Sequence, residues 1–149
     1  MRALIQRVSH ASVSVDGNVT GAIGPGFLVL LGVHKDDSTR DADYLLDKVT
    51  HLRIFNDPAG KMNLSILDIT GEMLVVSQFT LYGDCKKGRR PGFDQAAPPL
   101  DAKRMYEYFL EKAGGTGLIV ASGIFQADMQ VSLTNMGPVT FLVDSDRSK

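Results

Sequence analysis

Apolar and polar positions alternate near the start of the chain, where Val13 and Val15 are spaced by Ser12 and Ser14. Asp16-Gly17 then supplies the positive backbone angles of a tight hairpin before Val19 to Ile23, so two antiparallel strands are expected. Gly24-Pro25-Gly26 interrupts the chain, and Phe27 to Val33 follows as a continuous apolar run. A run of that kind suits a strand covered on both faces, the expected centre of a sheet. Ser38 with Asp41 three residues on fits a capping box, and Ala42, Leu45, Leu46, Val49 and Leu52 then recur at helical spacing. Asn56 to Gly60 and Thr70-Gly71 are dense in turn residues, and Met73 to Phe79 resumes a buried strand. After Pro98-Pro99, the positions Ala102, Met105, Tyr106, Phe109, Leu110 and Ala113 trace a second amphipathic helix, stopped by Gly114-Gly115. The remainder divides into strands at Leu118 to Ala121, Met129 to Leu133 and Val139 to Val143, with Asn135 to Pro138 as the turn between the last two.

The order β-β-β-α-β-α-β-β-β predicts one α/β domain over residues 1–149, with a mixed or barrel-like sheet and two helices packed on it. A chain of 149 residues hides enough surface for one core without covalent staples. With 44% hydrophobic and 22% charged residues, the composition excludes a disordered or fibrous chain. A net charge of −1 leaves no global field to draw in a polyanion, so any nucleic-acid contact has to come from a local basic patch. Cys85 is the single cysteine, which rules out an internal disulfide and suits a reducing, cytoplasmic setting. No apolar run approaches the ~20 residues of a membrane span, and Met1 to His10 lacks the features of a secretory signal.

Most common hydrolytic equipment is missing. His10, His34 and His51 are too few and too scattered to suggest a metal set, and Cys85 has no partner for zinc, so no metal is expected. Gly21 to Gly26 fits neither phosphate-loop pattern, so no nucleotide cofactor is expected, and no Gly-x-Ser-x-Gly elbow occurs. Three segments stand out instead. Ser77-Gln78-Phe79-Thr80-Leu81 runs from a buried strand into polar residues, and Gly83 to Pro99 forms a long loop with four cations, Lys86, Lys87, Arg89 and Arg90. Loops of that length without structure of their own commonly bind something or cover a site. The third is Asn135-Met136-Gly137-Pro138-Val139-Thr140.

The first and third of these segments resemble, in their usual order, the paired signature motifs of the D-aminoacyl-tRNA deacylase family, the D-tyrosyl-tRNA deacylases. Met1 to Val8, Leu52-Arg53-Ile54-Phe55 and Gly83 to Pro91 are similar to that family as well, so the likeness spans essentially the whole chain. The resemblance implies a homodimeric hydrolase that removes D-amino acids, and glycine, from wrongly charged tRNA, with no part for DNA or membrane. It implies that Gly137-Pro138 is a cis peptide inserted into the other subunit's site, where its carbonyls take the aminoacyl ammonium and L side chains are driven into backbone. Asn135 and Met136 belong to that substrate-binding and L-rejecting motif, and Arg7 is implied as its brace. Ser77, Gln78, Phe79 and Thr80 are implied as the catalytic segment, acting through backbone groups and the tRNA's own ribose hydroxyl. The four loop cations are then placed to meet acceptor-stem phosphates.

The residues themselves leave alternatives open. Thr80 suits the nucleophile of a general esterase, and the basic loop suits a non-catalytic RNA-binding module. Ser77 and Gln78 suit polar caps on a strand end, Arg7 a surface strand residue, and the charge run a solvated face.

Overall fold

The computed structural model describes residues 1–146. Strand β1 (Arg2–Val15) turns at Asp16-Gly17, where φ is +50° and +80°, into β2 (Asn18–Ile23) and then β3 (Gly26–Gly32). Both return antiparallel to β1, with Val13 opposite Gly21, Val8 opposite Gly26 and Arg2 opposite Gly32. The break at Gly24-Pro25 therefore bends one long arm of a hairpin. Helix α1 (Thr39–His51) and the small hairpin of β4 (Phe55–Asn56) and β5 (Met62–Leu64) precede β6 (Glu72–Ser77), which pairs parallel with β3. A 3-10 turn (Phe79–Tyr82) and helix α2 (Pro99–Gly114) lead to β7 (Ile119–Ser122), parallel to β6. Finally β8 (Gln130–Asp144) runs antiparallel along β1.

The sheet order β2-β1-β3-β6-β7, with β8 on β1, curls until β7 meets β2 and leaves a nearly closed barrel. Closure depends on Gly21, because a Cβ there would lie 2.6 Å from the Ser122 carbonyl oxygen. The apolar run of β3 is buried for the reason its sequence suggests. Phe27, Val29 and Leu31 face α1 and α2 together with Met73 and Val75, while Leu28 packs into the barrel with Val8, Val13, Leu74 and Val76. On α1 the buried side is Ala42, Leu45, Leu46 and Val49, and on α2 it is Ala102, Tyr106, Phe109 and Ala113. Asp41 closes the start of α1, its carboxylate accepting the Ser38 N–H at 2.8 Å. The Tyr106 hydroxyl, pushed up to about 12 by burial, donates to the Val75 carbonyl at 2.8 Å and ties α2 to β6.

Three expectations are corrected. Asn135 to Pro138 does not join two strands, because β8 is continuous and both of its halves pair with β1 in the same direction. The ladder passes from Gln6 opposite Thr140 to Val8 opposite Asn135, so residues 136–139 leave it as a bulge. The residue types that suggested a turn serve to let the chain out of the ladder and back. Second, the expected element order lacks the short β4–β5 hairpin; the turn read at Asn56 to Gly60 is its loop, where Asp57 accepts the amides of Ala59 and Lys61 at 2.9 Å each. Third, β6 ends at Ser77 and Phe79 opens the 3-10 turn. No helix among the described residues is long and apolar enough to cross a membrane.

Candidate active site

The 3-10 turn is set by where β6 stops. Gln78 spends its amide on the Leu31 carbonyl at 2.8 Å, and the chain then coils, with Leu81 N–H on Gln78 O at 3.3 Å and Gly83 N–H on Thr80 O at 2.9 Å. The amides of Phe79 and Thr80 precede the first bond of the turn and have no partner within it, the usual condition of a helix start. Gln78 Nε2 donates to the Thr80 hydroxyl. The hydroxyl accepts that bond and still has its own proton to donate, and no ionisable side chain lines the cleft to take it.

Ser77, Gln78 and Phe79 form one wall of a cleft of about 750 Å³. Phe93, Phe125 and Met129, the residue before β8, also line it. The Phe79 ring is 55% exposed and meets Phe93 edge-on, centroids 5.0 Å apart. None of the lining side chains is ionisable. A reaction here has to use backbone dipoles, amides and hydroxyls, or groups that the substrate brings.

The bulge of β8 is built by its own side chains. Asn135 Oδ1 accepts the Val139 N–H at 2.6 Å, and Asn135 Nδ2 donates to the Val139 carbonyl at 3.2 Å and to the Thr140 hydroxyl at 2.9 Å. Arg7 reaches across from β1, its Nε donating to the Met136 carbonyl at 2.8 Å and its Nη1 to the Ile54 carbonyl at 2.8 Å. The Gly137-Pro138 peptide is cis, and Gly137 has φ +138°, where side chains are rarely tolerated. The Met136 side chain is exposed. Within one chain, none of residues 135–138 lines the cleft of Ser77 to Phe79.

The basic segment is a small excursion closed at its base, where Asp84 and Gly92 exchange backbone bonds at 2.7 and 2.9 Å. Lys86, Lys87, Arg89 and Arg90 are all exposed on it, and none lines the cleft. The structure thus brings Ser77, Gln78, Phe79 and Thr80 together, and separately Arg7 with the 135–138 bulge. Sequence reasoning missed Phe93 and Asn56, which lies 3.5 Å from Arg7 Nη1. An aromatic residue in an otherwise polar loop was the available signal for Phe93; nothing marked Asn56. Among the described residues no three His, Cys, Asp or Glu side chains stand together as a metal set.

A family model described as D-Tyr-tRNA(Tyr) deacylase matches residues 4–144. The chain is 61% identical to a D-aminoacyl-tRNA deacylase of Geotalea uraniireducens, covering 100% of this chain and 96% of the relative. It is 59% identical to a D-aminoacyl-tRNA deacylase of Clostridioides difficile, covering 99% of each. Among solved structures, one titled c-Myc DNA Unwinding Element Binding Protein superposes with a TM-score of 0.92 at 40% identity, over 97% of this chain and 98% of that one.

Proposed function

The chain belongs to the D-Tyr-tRNA(Tyr) deacylase family, and from that premise we propose that it hydrolyses the ester joining a D-amino acid, or glycine, to the terminal ribose of tRNA in the cytoplasm. The observation that carries this reading is a cleft with no ionisable lining residue beside two unspent amides, those of Phe79 and Thr80. An aminoacyl ester is already activated, so donors aimed at its developing oxyanion supply the main acceleration; one such donor typically contributes about 10² to 10³ in rate. The ribose hydroxyl next to the ester assists from the substrate side. Gln78 orients the Thr80 hydroxyl, to which this reading gives a binding role.

The bulge completes the cleft from a second copy of the chain. Support comes from its position, since it lies outside its own cleft, and from β8, whose Phe141 and Leu142 are exposed beside it. Its Gly137 and Pro138 carbonyls receive the ammonium, Met136 borders the amino acid, and Asn135 and Arg7 hold the bulge in shape without touching substrate. Lys86, Lys87, Arg89 and Arg90 lie along the path of the acceptor strand and pair with its phosphates.

The test is deacylation of D-tyrosyl-tRNA across a salt series, with a small activated ester in parallel. Turnover is expected on the tRNA and not on the ester, with a Michaelis constant that rises with salt. Replacing the four loop cations by alanine flattens that dependence, by a slope of about 0.7 for each phosphate that is no longer neutralised. Absence of turnover returns the RNA-binding alternative, ester cleavage the general esterase, and an unchanged slope removes the loop from the interface.

A further inference from the structure

We infer that Arg2 is a positioning residue for this reaction, fixing the turn that presents the amides of Phe79 and Thr80. The inference rests on the proposed function for what the turn does, and on geometry for how the turn is held. Arg2 stands opposite Gly32 in the β1–β3 ladder. Gly32 is where the turn seats, since a Cβ there would lie 3.1 Å from both the Gln78 carbonyl oxygen and the Leu81 Cβ. The absent side chain opens a berth beside Arg2, and Arg2 closes over it.

It does so with three interactions. Nη1 donates to the Leu81 carbonyl at 2.9 Å, the guanidinium lies 4.5 Å from the Tyr82 ring centroid, and Nε donates to Asp144 Oδ2 at 2.9 Å. Leu81 O belongs to the last turn, where carbonyls are left without partners and a cation is well placed. Asp144 faces Arg2 across the β1–β8 ladder, so the charge that clamps the turn is itself anchored. Burial opposes ionisation of Asp144, but the hydrogen bonds from Arg2 and the Asp146 amide outweigh it and keep the carboxyl below its ordinary range. Tyr82 is buried and also packs against His34, 5.3 Å between centroids, so the stack ends on the loop side of the site.

Without Arg2 the berth remains but its outer wall is gone, and the turn rocks about Gly32. Small misplacement of oxyanion donors costs turnover more than binding. Arg2→Met, which keeps length and loses the charge, is expected to lower kcat on D-tyrosyl-tRNA roughly 10- to 100-fold with little change in KM. Arg2→Lys, able to reach Leu81 or Asp144 but not to stack flat, falls between. Discrimination between D and L substrates stays as in the parent, because Arg2 does not touch residues 135–138. Amide hydrogen exchange at Leu81 and Gly83, whose N–H groups close the turn, is expected to quicken about tenfold in Arg2→Met while α1 and α2 keep their protection.

An unchanged kcat together with unchanged exchange would overturn the inference, as would an effect confined to KM, which would make Arg2 a phosphate-binding residue. Equal loss of protection across the whole chain in both variants would overturn it too, reducing Arg2 to a fold determinant. Should the parent protein fail to deacylate D-tyrosyl-tRNA, the functional reading falls, while the exchange measurement still decides whether Arg2 holds the turn.

Discussion

L-Tyrosyl-tRNA is expected to outlast D-tyrosyl-tRNA by about a thousandfold when each is incubated with this protein, a discrimination of ~4 kcal/mol. Fixing both the ammonium and the ester carbonyl leaves the α-hydrogen and the side chain to exchange places between the two hands. A close-packed wall that accepts hydrogen in one position rejects a methylene there, because interiors of this density do not yield. In the proposed mechanism that wall is the β8 bulge, which its own hydrogen bonds stiffen. The Asn135 carboxamide makes three bonds within and beside it, and Arg7 ties its Met136 carbonyl to Ile54, just before β4. Glycine has no side chain to reject, so glycyl-tRNA is expected to be cleared at a rate near that of the D substrate. Single-turnover rates on matched substrates measure both, and equal rates for the two hands would deny the bulge any part in selection.

Gly137→Ala is expected to lower kcat/KM on D-tyrosyl-tRNA by about 100-fold or more and to narrow the D-to-L ratio. The backbone at Gly137 has φ +138°, and a Cβ built there falls 2.7 Å from Val139 Cγ2 and 3.0 Å from Arg7 Nη2. The new methyl group therefore distorts the bulge and displaces its brace together. Because the bulge leaves the ladder at an exposed place, the fold is expected to survive at a cost of about 1 to 3 kcal/mol. A folded variant with parental kcat/KM would show that the conformation at Gly137 is not used. Circular dichroism and melting distinguish that result from loss of the fold.

How far the structure is legible in the sequence differs from element to element. Phe27 to Val33 reads as a central strand, because burial on both faces leaves no polar position in the run. Both helices read from their stripes, and the Ser38–Asp41 cap from its spacing. Asn135 to Pro138 misleads because a bulge and a hairpin turn draw on the same residues, and what separates them is which strand the chain rejoins. Here it rejoins β1, a pairing across more than 100 residues that local pattern does not encode. The two motifs are visible as sequence, but their separation within one chain is not, since it depends on β6 pairing with β3 while β8 pairs with β1. Arg2 is invisible for a similar reason. Its partners Leu81, Tyr82 and Asp144 are far along the chain and meet it only once β1 is flanked by β3 and β8.

The claim that each cleft is completed by a second copy's bulge has a direct test in mixed dimers. Phe79→Pro removes one of the two free amides at a position where the start of a helical turn accepts proline, and Gly137→Ala spoils the bulge. Each variant alone is expected to be nearly inactive on D-tyrosyl-tRNA. When the two are unfolded and refolded together in equal amounts, random pairing makes half of the dimers mixed, and each mixed dimer holds one cleft with an intact turn facing an intact bulge. Recovery of about a quarter of parental activity is the predicted result for such a two-fold assembly. If the mixture stays as inactive as its components, turn and bulge of the same chain serve the same site, and the cross-subunit cleft is contradicted.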